Sequence, residues 1–346
     1  MTSVHDLQPV STGDTPNRWH ELAGRVLAGH KLTEEDGLAI LRSDDNELLD
    51  VLGAAYRVRY RWFANRVRLN FLINAKSGLC SEDCGYCSQS SVSRAEIPKY
   101  DLLDPEKILD GARIAHERQA KTYCIVTSGR GPGRREIDTI ARIVPQIKAA
   151  YHLKICVSPG LLTPDQAARL KECGVNRVNH NLNTSRAFYA RICSTHSYQD
   201  RLNTLQAVRD AGLEICSGAI IGMGEQDQDV VELAFELGKL AVEALPVNFL
   251  NPIPGTPLEG EGRLNPRYCL KALALFRLAN PKCELRIAGG REKHLGPLQP
   301  LGLYPANGIF VGDYLTTKGQ PPEDDYRMIE ALGFEIVPEG ADAPQE

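Results

Sequence analysis

A chain of 346 residues, 42% hydrophobic and 24% charged, is long enough to bury one large α/β core or two smaller ones. Its formal net charge of −4 argues against a nucleic-acid backbone as partner, and no run of about 18 apolar residues marks a membrane span. The N-terminus, from Met1 to Asp6, lacks the basic and apolar regions of a signal peptide. With ten cysteines and no export signal, a reducing, cytoplasmic setting with metal or redox use is expected.

Residues 1–16 are polar, include Pro9 and Pro16, and are expected as a disordered lead. Amphipathic segments at 17–29, 33–43 and 46–66 predict an N-terminal helical extension over 17–66. The second segment opens on Thr33-Glu34-Glu35-Asp36, a capping arrangement. The basic cluster from Arg57 to Arg68 reads as a solvated helix face.

From residue 67 the pattern changes. Strands are predicted at 68–74, 122–127, 153–158, 175–180, 213–220, 245–250, 283–288 and 308–312. Helices are predicted between them at 104–119, 135–150, 163–172, 198–211, 227–243 and 265–279. Eight βα units over about 250 residues predict an α/β fold, a (β/α)₈ TIM-type barrel spanning 67–318, rather than an open doubly wound sheet. The seventh-to-eighth connection, with Pro297, Pro300 and Pro305, is the irregular one. Residues 319–346 are expected to hold a short helix near 324–332 and an acidic tail.

The stretch from Cys80 to Cys87 follows the first predicted strand, at the C-terminal rim where such barrels carry their sites. Cys80, Cys84 and Cys87 follow C-x₃-C-x₂-C, with Tyr86 before the last. Soft thiolates at this spacing can hold three corners of a zinc, copper(I) or iron–sulfur centre. A closed structural zinc site wants a fourth ligand from a second paired motif. The next fifty residues offer one His (His116) and one Cys (Cys124), neither with such a partner. Three thiolates on a four-iron cluster would instead leave one iron open. Without a metal, clustered thiols would be oxidation-prone. The motif resembles the radical S-adenosylmethionine (radical SAM) signature. The resemblance implies that SAM chelates the open iron and that one electron releases a 5′-deoxyadenosyl radical.

Four predicted strands carry an unusual central residue: Cys124, Cys156, Cys216 and Arg286. Side chains alternate along a strand. Tyr123 and Ile125, Ile155 and Val157, and Leu285 and Ile287 suit the helix-facing side; Ile215 also fits, and Ser217 is neutral. The four are therefore expected to converge inside the barrel, where they could hold a second, smaller cluster. From chemistry alone, Arg286 reads as a counter-charge, because a guanidinium is normally protonated. A cysteine taken singly reads as a small buried hydrophobe, and that reading is kept for Cys173, Cys193, Cys269 and Cys283.

Over almost its whole length the chain is similar to the biotin synthases of that superfamily. The matching stretches include CSEDCGYCSQS at 80–90, TYCIVTSGRGP at 122–132, VNHNLNTS at 178–185 and YQDRLNTLQAVRDAG at 198–212. Others are ICSGAIIGMGE at 215–225, PVNFLNPIPGTPLEG at 246–260, LRIAGGRE at 285–292 and LTT at 315–317. The resemblance implies a [4Fe–4S] cluster on Cys80, Cys84 and Cys87, and a [2Fe–2S] cluster on Cys124, Cys156, Cys216 and Arg286. It implies sulfur insertion into dethiobiotin to form biotin, with the second cluster as sulfur donor. A flavodoxin or ferredoxin as electron donor, and a homodimer, are implied likewise.

Asn179 and Asn181 lie two apart on one face at the end of the fourth predicted strand, with Asn183 in the loop beyond. Their amides can read a ureido group or ribose hydroxyls, or can simply serve the turn. The resemblance assigns Asn179 and Asn181 to the substrate's ureido group. It assigns Asn181 and Asn183, the candidate catalytic pair, to the SAM ribose; some relatives carry Asp at the latter position. Arg201, alone a surface charge, becomes the partner of the SAM carboxylate. The resemblance also implies that Ile220 and Met223 pack on the adenine, with the backbone at Tyr86. Asn248, Thr316 and Thr317 resemble the family's clamp for the substrate carboxylate tail. His180 faces outward by parity, and Glu225 could equally cap the helix that follows. The competing readings are another radical SAM enzyme of maturase or mutase type, which would lack the complete Cys124/Cys156/Cys216/Arg286 set, and a non-catalytic iron–sulfur or zinc protein.

Overall fold

A computed structural model of the chain describes residues 17–337; the expected lead at 1–16 and the end of the tail at 338–346 lie outside the described residues. Three helices come first: α1 (Arg18–Leu27), α2 (Glu34–Leu41) and α3 (Leu48–Phe63). The Asn17 side chain accepts from the amides of Trp19 and His20 to start α1, and Thr33 and Asp36 form a reciprocal capping box on α2. Ala64 then adopts φ 48° and turns the chain out of α3 before residue 66. The solvated-face expectation fails at Arg59, which is fully buried and donates to the carbonyls of Ala306, Ala64 and Arg66. Backbone oxygens there replace water.

The barrel strands are β1 (Arg66–Lys76), β2 (Thr122–Thr127), β3 (Lys154–Ser158), β4 (Arg177–Asn179), β5 (Glu214–Cys216), β6 (Ala219–Ile221), β7 (Ala244–Phe249), β8 (Glu284–Ile287) and β9 (Gly308–Phe310). Helices α4 (Pro105–Glu117), α5 (Arg134–Ala150), α6 (Pro164–Glu172), α7 (Tyr198–Asp210), α8 (Asp227–Lys239) and α9 (Pro266–Ala279) alternate with them. The irregular connection holds the short helices α10 (Arg291–His294) and α11 (Gln299–Gly302). Among the described residues these strands pair in parallel throughout, and β9 returns to β1 with Arg68 opposite Gly308, closing a (β/α)₈ barrel.

One predicted strand, 213–220, is two. β5 and β6 share the fifth position, each pairing with β7, and the chain breaks between them at Ser217 and Gly218. A Cβ on Gly218 would sit 1.9 Å from the Pro246 carbonyl oxygen, so only glycine lets the two backbones approach. After β9 come α12 (Pro322–Ala331) and β10 (Glu335–Ile336), a two-residue strand that pairs with the start of β1 and that periodicity does not reveal. The core lies between barrel and helices. Tyr123, Ile125, Ile155, Val157, Leu285 and Ile287 are buried there, and the Tyr123 hydroxyl donates to the Ile108 carbonyl of α4 at 2.8 Å. That orientation leaves their strand neighbours facing inward.

Candidate active site

The loop after β1 is a series of tight turns, with Cys87 N donating to Cys84 O and Ser90 N to Cys87 O, each at 3.1 Å. A second loop, before α7, clasps it. Gly85 N reaches Ile192 O at 2.8 Å, and the Asp83 carboxylate accepts from Ser194 N at 2.9 Å and Thr195 N at 3.2 Å. Glu82 is buried between the loops and accepts from Thr195 Oγ1 at 2.8 Å, from His196 Nδ1 and from Arg130. Burial pushes its carboxyl up, but those hydrogen bonds together hold it below the ordinary value.

Cys193, read from sequence as a packing residue, is buried with its sulfur 3.7 Å from Cys84 Sγ and 3.3 Å from His196 Nδ1. The thiol hydrogen bond holds Cys84 up and Cys193 down. Ligand atoms of Cys84, Cys193 and His196 lie within 4.8 Å of one another. Its C-x₂-H spacing to His196 is the sequence signal that could have found it.

Cys80, Cys84 and Cys87 line one cavity of about 410 Å³ together with Cys124, Cys156, Cys216 and Arg286. Cys124 and Cys156 are register partners on β2 and β3, and Cys216 ends β5 opposite Asn179. Cys156 is held well above the ordinary thiol value by the neighbouring Cys124 thiol and then by burial, against the opposing pull of Cys216, and Cys216 is held up by the neighbouring Cys156 thiol and then by burial. Arg286 Nε donates to Glu284 Oε1 at 2.8 Å, and Nη1 stands 4.0 Å from Cys216 Sγ. Nη2 is buried with no hydrogen-bond partner. Three packed sulfurs beside an unsatisfied nitrogen suit a thiophilic iron–sulfur group, since an orphaned buried donor is otherwise costly.

Between the two cysteine sets lie the polar candidates. Asn179 Nδ2 donates to Asn181 Oδ1 at 3.0 Å and to Cys216 Sγ at 3.2 Å, while its Oδ1 accepts from Ser158 at 3.1 Å. Asn183 takes φ 70°, a left-handed conformation Asn tolerates, and donates to the Tyr86 hydroxyl at 2.6 Å. Arg201 is no surface charge: it is 7% exposed, donates to Asn181 O at 2.6 Å and to the Tyr189 hydroxyl, and reaches Tyr86 at 3.5 Å. Ile220, Asn248, Thr316 and Thr317 all line the cavity. Asn248 is engaged by backbone at both ends, through Ala219 O at 3.1 Å and Gly289 N at 3.0 Å, and Thr316 shares a 2.8 Å hydrogen bond with Ser88.

Three further residues complete the picture. Met223 is buried but is not among the cavity-lining residues. His180 lines the cavity instead of facing out, because β4 ends at Asn179 and strand parity no longer governs the next residue. Glu225 braces the Gly222–Met223 turn through two 2.7 Å backbone bonds, while Gln226 and Asp229 cap α8.

Residues 76–237 match the Radical SAM superfamily, and residues 246–335 match the Biotin and Thiamin Synthesis associated domain. The biotin synthase of Rhodopirellula baltica is 57% identical over 322 residues, covering 93% of this chain and 90% of that protein. The chain belongs to the biotin synthase family. The biotin synthase of Geobacillus kaustophilus is also 57% identical, covering 94% of this chain and 98% of the relative, and that of Bacillus subtilis (strain 168) is 53% identical over 92% and 96%. For this radical SAM family the implied cofactors are SAM and iron–sulfur clusters, which the thiol-lined cavity suits. A crystal structure of methylornithine synthase shares the fold, with TM-score 0.80 at 22% identity over 92% of this chain and 98% of that one. The hydrogenase maturase of Carboxydothermus hydrogenoformans does so with TM-score 0.77 at 18% identity, covering 92% and 79%. Among the described residues no helix is long and apolar enough to cross a membrane.

Proposed function

We propose that this protein inserts sulfur into dethiobiotin to form biotin, with a [4Fe–4S] cluster on Cys80, Cys84 and Cys87 and a [2Fe–2S] cluster on Cys124, Cys156, Cys216 and Arg286. The observation that carries this reading is the inner set, three buried thiols on neighbouring strands beside a guanidinium with one unpartnered buried nitrogen, in the same cavity as the outer three thiols. When bound, these groups would relay two electrons from the reductant to two SAM molecules in turn, giving two 5′-deoxyadenosyl radicals, one for each C–H bond broken, and would supply the sulfur for the two C–S bonds formed.

The chain's own residues supply position. Cys80, Cys84 and Cys87 leave one metal corner for SAM, and Arg201 neutralises its carboxylate from a buried site where a charge-assisted bond is strong. Asn181 and Asn183 hold the ribose, and Ile220 flanks the adenine with the Tyr86 backbone; Met223 supports that wall from behind. Asn179 and Asn181 read the ureido group beside the inner sulfurs, while Asn248, Thr316 and Thr317 receive the carboxylate tail. A barrel interior keeps water from a reactive radical. The same reading has the 67–318 barrel as the functional unit, a cytoplasmic homodimer, and a flavodoxin or ferredoxin as electron donor.

The test is anaerobic incubation of reconstituted protein with SAM, reductant and dethiobiotin. Deoxyadenosine and biotin should both form. Deoxyadenosine without biotin would overturn the substrate assignment, and no deoxyadenosine would overturn the radical chemistry.

A further inference from the structure

Barrel interiors are ordinarily filled by branched apolar side chains. Next to the inner cysteines this one carries charge. Strand register sets Arg177 of β4 opposite Cys156 and Glu214, Glu284 of β8 opposite Ala244, and Arg68 of β1 opposite Gly308. Glu284 is the hub. Its Oε1 accepts from Arg286 Nε at 2.8 Å, and its Oε2 accepts from Arg177 Nη1 at 3.2 Å and Arg68 Nη1 at 3.3 Å. Arg177 is joined in turn to Glu214 at 2.7 Å, which pairs with Lys154 at 2.7 Å. The side chains of Glu284 and Arg177 are each 3% exposed, and that of Arg286 is 1% exposed.

Such a network is not explained by stability. Buried ion pairs pay desolvation that apolar residues of similar volume avoid. Its geometry suggests another role. Arg286 is held at one end, at Nε, while its far end carries the nitrogen without a partner and stands by Cys216. An arginine side chain has many rotamers to lose, and the short contact at Nε fixes the plane of the guanidinium. The second oxygen of Glu284 is occupied by Arg177 and Arg68, so the carboxylate cannot turn to chelate both edges of Arg286.

We propose that Glu284, itself held by Arg177 and Arg68, is the positioning residue for Arg286, presenting its unpartnered nitrogen to the group bound by Cys124, Cys156 and Cys216. This rests on the reading that those residues hold an iron–sulfur centre. Glu284 is not among the residues that line the cavity, whereas Arg286 is, so its influence on the bound group would pass through Arg286.

The test compares reconstituted wild-type protein, Glu284→Gln, Arg286→Lys and the double variant by Mössbauer spectroscopy and by the rate at which a chelator removes the inner centre. Glu284→Gln should alter the inner-centre spectrum and speed its loss about 10- to 100-fold, the usual range for residues that orient ligands. With Lys at 286 the same change should add nothing further. An unchanged spectrum and rate in Glu284→Gln, or an equal effect in both backgrounds, would overturn the proposal, the latter indicating packing alone. If Glu284→Gln does not fold, Arg177→Met/Glu284→Met exchanges the buried pair for apolar volume and is read in the same way. Absence of an inner centre from the wild-type protein would instead refute the underlying reading.

Discussion

The sulfurs of Cys84 and Cys193 lie 3.7 Å apart although 109 residues separate them in the chain. A disulfide bond is about 2 Å long, so a small movement joins them once no metal holds Cys84. Chelator-stripped protein treated with diamide should lose two thiol hydrogens to the reagent and form an 84–193 disulfide, read by peptide mapping. Cys193→Ser should not form it. A map pairing Cys84 with Cys80 or Cys87 in the wild-type protein would show that this contact does not govern Cys84.

Cys84→Ala should abolish deoxyadenosine formation, because two thiolates cannot hold a four-iron centre with a single open corner. Undiminished SAM cleavage by this variant would remove the outer motif from the chemistry.

The barrel was legible because strand and helix periodicities differ, and each βα unit shows both. Inward-pointing Cys124, Cys156, Cys216 and Arg286 were legible for the same reason: apolar neighbours betray the helix-facing side. What escaped depends on residues distant in sequence. The break at Gly218 is dictated by the Pro246 carbonyl on the adjacent strand. Arg59 is buried because backbone carbonyls from Ala64, Arg66 and Ala306 surround it. Cys193 takes its meaning from Cys84 and Glu284 from Arg177, pairs that only the closed barrel brings together.

Thr317 lines the cavity, and its replacement by Val removes a donor while keeping the shape. Dethiobiotin binding should weaken by roughly 1–3 kcal/mol, the range for a hydrogen bond to a charged group. SAM affinity should be nearly unchanged. Equal loss of both affinities in calorimetry would move this residue out of the substrate's carboxylate subsite.

His294 is held below the ordinary imidazole value, first by burial and then by Lys293, against the opposing pull of the Leu250 carbonyl that its Nε2 contacts at 2.8 Å. His180 is held lower still, by burial and then Arg201. With the folded values depressed, the unfolded chain binds more protons below the unperturbed value of 6.5. Stability therefore falls as pH drops through that value. In His294→Gln, the decrease in urea midpoint between about pH 7 and about pH 5.5 should be smaller than in wild type. Parallel curves would show that His294 titrates alike in both states.

The most direct measurement follows the sulfur. Protein whose iron–sulfur centres are reconstituted with isotopically heavy sulfide is given SAM, reductant and dethiobiotin of natural abundance, and the product is examined by mass spectrometry. The account predicts biotin carrying the heavy isotope, with the inner centre decaying as product forms. Biotin of natural isotopic composition, made while the labelled inner centre stays intact, would contradict it.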